Sequence, residues 1–186
     1  MANVDRPNGF RPVKTISGAP VTSLIRAIGV ADGEDIFVGD IVNLESGLAD
    51  PGANNDAAFL GVAVGFGKVN ADGIPLGPFN PDALMTRFYD DSASTHTDWV
   101  CYYVPVDDVV FEAQTATALT MLPGDTCDLS DATGDSTTGQ SRQEITTSSA
   151  ADFTVVEVPH YVDNDPTAVW GRYWVMVTRA EQAFHA

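Results

Sequence analysis

The chain is 186 residues long, 44% hydrophobic, and carries a formal net charge of −17. That length and apolar content suffice for one sizeable core and exclude a chain that stays disordered throughout. Such acidity argues against nucleic acid or an anionic membrane as a partner of the body, and no apolar run approaches the ~18 residues that cross a bilayer.

The charge is unevenly placed. In the first 26 residues Arg6, Arg11, Lys14 and Arg26 stand against one acid, Asp5, whereas the remainder holds five basic and 25 acidic side chains. The opening Met1-Ala2-Asn3-Val4-Asp5-Arg6-Pro7 lacks the charged-then-apolar layout of a secretion signal, so manufacture and assembly in the cytoplasm are expected. Pro7, Pro12 and Pro20, with Gly9 and Gly18, leave no room for a helix and predict an extended arm over residues 1–23, ahead of a single β domain over 24–186. Phe10, Val13 and Ile16 on that arm would sit in water unless they docked. The residues expected to dock, onto an acidic neighbouring surface such as another copy's body, are Arg6, Pro7, Phe10, Arg11, Pro12, Val13, Lys14 and Ile16.

From Val21 the pattern turns to strands. Leu24–Ile28 leads to the turn Ala31-Asp32-Gly33-Glu34, and Ile36-Phe37-Val38 stops at Gly39-Asp40 before Ile41–Leu44 resumes. Ser46 to Asp56 reads as a loop, and Phe59–Phe66 as an apolar strand whose glycines signal a bulge or a close backbone. Lys68 to Pro81 is a long loop suited to covering something or reaching a partner. Trp99–Val104, Asp107–Ala113, Glu144–Thr146, Phe153–Val158 and Gly171–Thr178 complete the strands; helix signal is confined to a turn or two in Asp82–Phe88 and Ala180–Phe184. Gly124-Asp125-Thr126-Cys127-Asp128-Leu129 echoes Gly39-Asp40-Ile41-Val42-Asn43-Leu44, as two similar corner turns would. Many short strands between polar loops predict a mainly β protein, an antiparallel β-barrel or sandwich with an extended N-terminal arm and long loops, for which oligomerisation would supplement a thin core.

Motifs for chemistry are missing. No GxSxG elbow, phosphate-cradling loop, HExxH or GxGxxG is present, and His96, His160 and His185 are scattered. No catalytic role is expected, and no cofactor. Cys101 and Cys127 lack metal-site spacing and sit at positions expected to be buried, so free thiols are expected before a disulfide. Among 26 acids any carboxylate pair can be nominated, and adjacent Asp107 and Asp108 would point to opposite faces of a strand. Neither the Asp128–Asp135 loop nor Asp163-Asn164-Asp165 has calcium-loop spacing, so no metal is expected. Most aromatics read as core; Trp170, at a strand entrance, reads as a subunit contact.

Four pieces, in order along the chain, resemble the head decoration, or cement, proteins of tailed bacteriophages. Asn8-Gly9-Phe10-Arg11-Pro12-Val13 is similar to an opening P-x-G-F/L-R-P-V, and Asp35–Val42 to an I-F-x-G-D-x-V turn. Gly61–Phe66 is similar to a G-V-x-V-G-F strand, and Val162-Asp163-Asn164 with Trp174–Val177 to a D-N…W-x-V-x-V/I ending. The loops at 67–98 and 130–143 are longer than in that pattern. The resemblance implies a virion protein on the outer capsid surface that binds the major capsid protein, commonly as a homotrimer, and stiffens the shell. The rival expectation is a carbohydrate- or receptor-binding module of a phage particle using Phe79, Phe88 and Tyr89.

Overall fold

A computed structural model describes residues 3–5, 8–54, 56, 58–69, 87–93, 95–130, 132–147 and 149–183. Arg6, Pro7, Phe79, His185 and nearly all of Asp82–Phe88 lie outside these residues. The strands are β1 (Arg11–Thr15), β2 (Arg26–Gly29), β3 (Ile36–Phe37), β4 (Ile41–Glu45), β5 (Leu48–Pro51), β6 (Phe59–Lys68) and β7 (Phe88–Tyr89), then β8 (Trp99–Pro105), β9 (Val109–Gln114), β10 (Thr126–Ser130), β11 (Glu144–Thr147), β12 (Phe153–Glu157) and β13 (Arg172–Val177). They form a six-stranded sheet in the order β1-β9-β13-β12-β10-β11, a five-stranded sheet β2-β8-β6-β4-β5, and the pair β3-β7. All these pairings are antiparallel, and neither large sheet closes on itself. The fold is therefore mainly β, and of the two expected architectures the open, packed sheets match a sandwich.

Alternation of side chains explains the two cores. Ile41, Phe59, Val62 and Val104 face the six-stranded sheet and pack with Phe111, Leu129, Phe153 and Val175. Their neighbours Val42, Leu60, Ala63 and Tyr103 point the other way, into a second cluster with Ile36, Tyr89 and Cys101. β8 is buried along its whole length, which is why Trp99–Val104 is an unbroken apolar run in the sequence.

The two sheets share one plan. Strands β2, β4, β5, β6 and β8 are ordered first-fifth-fourth-second-third, and so are β9, β10, β11, β12 and β13. Each unit's first strand ends in a parallel bridge to its third, Val30 to Ala49 and Thr115 to Ile145. Each fourth strand has a bulge at a corresponding point, between Ala63 and Gly65 in β6 and between Val155 and Glu157 in β12. The Gly-Asp echo is the corner of this plan. Gly39 and Gly124 both have φ of 98°. Asp40 Oδ2 accepts the Phe37 amide at 2.7 Å, and Asp125 Oδ2 accepts the Leu122 amide at 2.8 Å. The glycine amides donate to Ala63 and Val155 respectively, each at 2.8 Å.

Several elements differ from the sequence reading. The segment over 1–23 is not free of its own body: Arg11–Thr15 is an edge strand antiparallel to β9. Pro12 is tolerated because an edge strand can lack one donor, and a register shift between Pro12 and Lys14 leaves Val13 exposed. Val21–Leu24 is a 3-10 turn instead of the start of a strand, with the Ser23 amide donating to the Pro20 carbonyl at 3.0 Å. The expected loop after Ser46 contains β5, reached by a two-residue hairpin in which Ser46 and Gly47 both have positive φ, the requirement of a tight primed turn.

Candidate interaction site

The N-terminal segment is built into the body through Gly9 and Phe10. The Phe10 amide donates to the Gly39 carbonyl at 2.8 Å, and its ring, 1% exposed, stacks on Phe153 at 4.9 Å between centroids. Phe10 thus links the corner of one sheet to a strand of the other. Gly9 has φ of 60°, and a Cβ there would collide with the Gly39 carbonyl and the Ser141 side chain. Beyond this anchor, the basic residues of β1 meet acids of the same chain. Lys14 Nζ lies 3.1 Å from Glu157 and 4.5 Å from the Trp174 ring centre, while Arg11 lies 4.0 Å from Glu112. The cations of these contacts are solvent-exposed, so each is worth about 0–1 kcal/mol and they orient β1 more than they hold it.

Beside β1 the chain returns in the turns before β13. Asn3 ties the start of the chain to this loop: its side-chain amide donates to the Asp165 carbonyl at 2.7 Å and the Val169 carbonyl at 3.0 Å, and its oxygen accepts the Asp165 amide at 2.7 Å. Asn164 holds the loop's base through the Pro159 carbonyl and both backbone groups of Arg172. Arg172 pairs with Asp163 at 2.6 Å and lies over the Tyr161 ring at 4.6 Å. The Asp163-Asn164-Asp165 motif is accordingly a loop clamp.

The clamp presents Trp170. Its φ is 64°, a conformation costly for a bulky residue, and the residue is 37% exposed. Val4, Tyr161, Val162 and Val169 are also exposed. Trp170, Val4, Asn3, Arg11 and Arg172 line a depression of about 60 Å³. That is far below the ~300–1,000 Å³ of a small-molecule site, but it suits one inserted side chain of a protein partner.

The sequence-derived contact residues thus separate into groups. Arg11 and Trp170 come together at one depression, and Val13, Lys14 and Ile16 are exposed along β1 and just past it. Phe10, expected at a contact with another molecule, is instead a core residue of its own chain, because its register against Gly39 aims it between the sheets. Arg6 and Pro7 are outside the described residues. Sequence reasoning missed Asn3, Val4, Val162 and Val169. A turn-rich stretch carrying apolar residues, Tyr161 to Trp170, was the available signal.

Elsewhere the titratable groups serve the fold. Both cysteines are buried and free, and burial pushes the Cys127 thiol up to about 12. Asp40 is pushed from 3.8 to about 7 by burial, opposed by Ser141 and the Phe37 amide. Burial raises Asp128 too, but the amides of Ser149, Ala150 and Ala151 outweigh it and hold its carboxyl below the ordinary value. His96 faces Asp32 at 3.3 Å. Among the described residues no three His, Cys, Asp or Glu side chains are placed to hold a metal ion. Tyr89, a nominated sugar-stacking residue, is fully buried with its hydroxyl donating to Asp91 at 3.0 Å, and Phe88 stacks on Phe37 at 5.1 Å. No protein-family model matches the chain, and neither the curated proteins nor the solved structures contain a significant match to it.

Proposed function

We propose that the protein is a structural component of a tailed-bacteriophage particle that decorates and stabilises the outside of the capsid, binding the major capsid protein and associating with itself as a trimer. The observation that carries this reading is the exposed pair Val4 and Trp170 on a side-chain-sized depression, with Tyr161, Val162 and Val169 exposed in the loop that leads to Trp170. An aliphatic and an aromatic side chain exposed at a small pocket suit a protein contact, and backbone strain at Trp170 fits a residue kept for presentation. The charge supports an outward position: a chain at −17 would be repelled by packaged DNA. The resemblance of Asn8–Val13, Asp35–Val42, Gly61–Phe66 and Trp174–Val177 to cement proteins supplies the identity of the shell.

The test is co-sedimentation with heads built from the shell protein of the same virus, together with native mass measurement of the free protein. Trp170→Gly keeps the backbone, because glycine accepts positive φ without strain, and removes the anchor. It should weaken head binding or self-association by about 30-fold, the loss of a hot spot worth ~2 kcal/mol. Wild-type protein that stays monomeric and ignores the heads would overturn the proposal.

A further inference from the structure

Among the described residues, the shared plan of the two sheets shows where one of them has one strand fewer. In the second unit the outer edge of β9 is covered by β1. Its counterpart in the first unit is β2, which among the described residues pairs only with β8 and has Arg26 and Ala27 exposed. The correspondence is fixed by register. Trp174 lies opposite both Glu112 and Glu157; Tyr102 lies opposite both Ala27 and Gly65. Ala27 therefore stands where Glu112 stands, and Gly65 where Glu157 stands.

We infer that the open edge of β2 accepts an extended segment of a partner protein, added antiparallel as β1 is on β9, with a carboxylate set against Arg26. An uncovered edge offers unpaired backbone groups that a strand can satisfy, and backbone pairing supplies the affinity. Side chains define the occupant. β1 is oriented by Arg11 and Lys14 against Glu112 and Glu157, and both acids are missing from the first unit's version of the site. A second copy's basic segment finds no counter-charge there. Arg26 supplies the opposite sign, and among the described residues no carboxylate stands within ion-pair distance of it. Arg26 is met by the Tyr103 hydroxyl, which carries no compensating charge, so its guanidinium on this edge selects an acidic strand. A Cβ at Gly65 would meet nothing within 4 Å, so the surface two strands in from the edge, on the face of Ala27, is open. The inference does not depend on the capsid reading.

The experiment is amide hydrogen exchange on the full chain at low salt with two probe peptides, one a short β-branched strand with a central aspartate, the other a copy of residues 9–17. The aspartate peptide should slow exchange within Arg26–Gly29 by about tenfold and the basic peptide should not; Arg26→Glu should reverse that preference. Unchanged exchange elsewhere in Arg26→Glu would show that its fold is kept. Protection by the 9–17 peptide instead would name a second copy's β1 as the occupant and overturn the inference. Absence of protection by either peptide would also overturn it.

Discussion

Gly9 and Phe10 decide how the N-terminal segment meets the body, and each leaves a measurable trace. Gly9→Ala combines a disfavoured φ with a collision against the Gly39 carbonyl, so it should cost about 2 kcal/mol or more in a denaturant titration. A loss near zero would mean that the backbones do not cross there. Asp40 provides a second trace. A carboxyl raised to about 7 when folded and titrating near 3.8 when unfolded favours the folded state below the lower value, and that contribution falls as pH rises through the window between them. Asp50, raised to about 6 by burial and then by Glu34 and Glu45, acts in the same direction. Asp128, lowered when folded, acts oppositely: its contribution is present above 3.8 and is lost as pH falls through its folded value. Melting temperature should therefore decline from about pH 4 to about pH 7, and Asp40→Asn, which keeps an acceptor for the Phe37 amide, should flatten that decline while converging with wild type near pH 4. An unchanged slope in the variant would refute the assignment.

At the level of elements, the paired corners allow a controlled comparison. Gly39 and Gly124 share φ of 98°, but a Cβ at Gly124 would meet nothing within 4 Å, whereas one at Gly39 would strike the Asn8 carbonyl. Gly124→Ala should cost only the conformational strain, about 1 kcal/mol, and Gly39→Ala clearly more. Equal losses in parallel unfolding curves would remove the N-terminal crossing from the account. The corners also show what was readable in advance. A six-residue echo was visible because the turn demands glycine for positive φ and aspartate to accept the amide three residues earlier. The wider repetition was not, because strand alternation is met by many residues: Tyr102 matches Trp174, and Ala27 matches Glu112. β5 was hidden because Asp50 and Pro51 are poor strand formers and are admitted only at an edge. β1 was legible as extended chain, but whether it docked on its own body depended on Gly39 and Val109–Glu112, distant in sequence. Trp170 was legible as an aromatic contact at a strand entrance; the residues gathered around it, Asn3 and Val4, were not, since the folded clamp joins positions 162 and 166 residues apart.

The whole molecule is an acidic two-sheet body with an N-terminal strand fixed to it and with Val4 and Trp170 exposed beside the clamp of Asn3 on Asp165. The proposed assembly on a viral shell uses this surface. Imaging of heads incubated with the purified chain tests that most directly. The predicted result is ordered density on the outer surface, with Trp170 buried at a contact between copies or with the shell protein. Heads left bare, or decorated by copies whose Trp170 faces solvent, would contradict it.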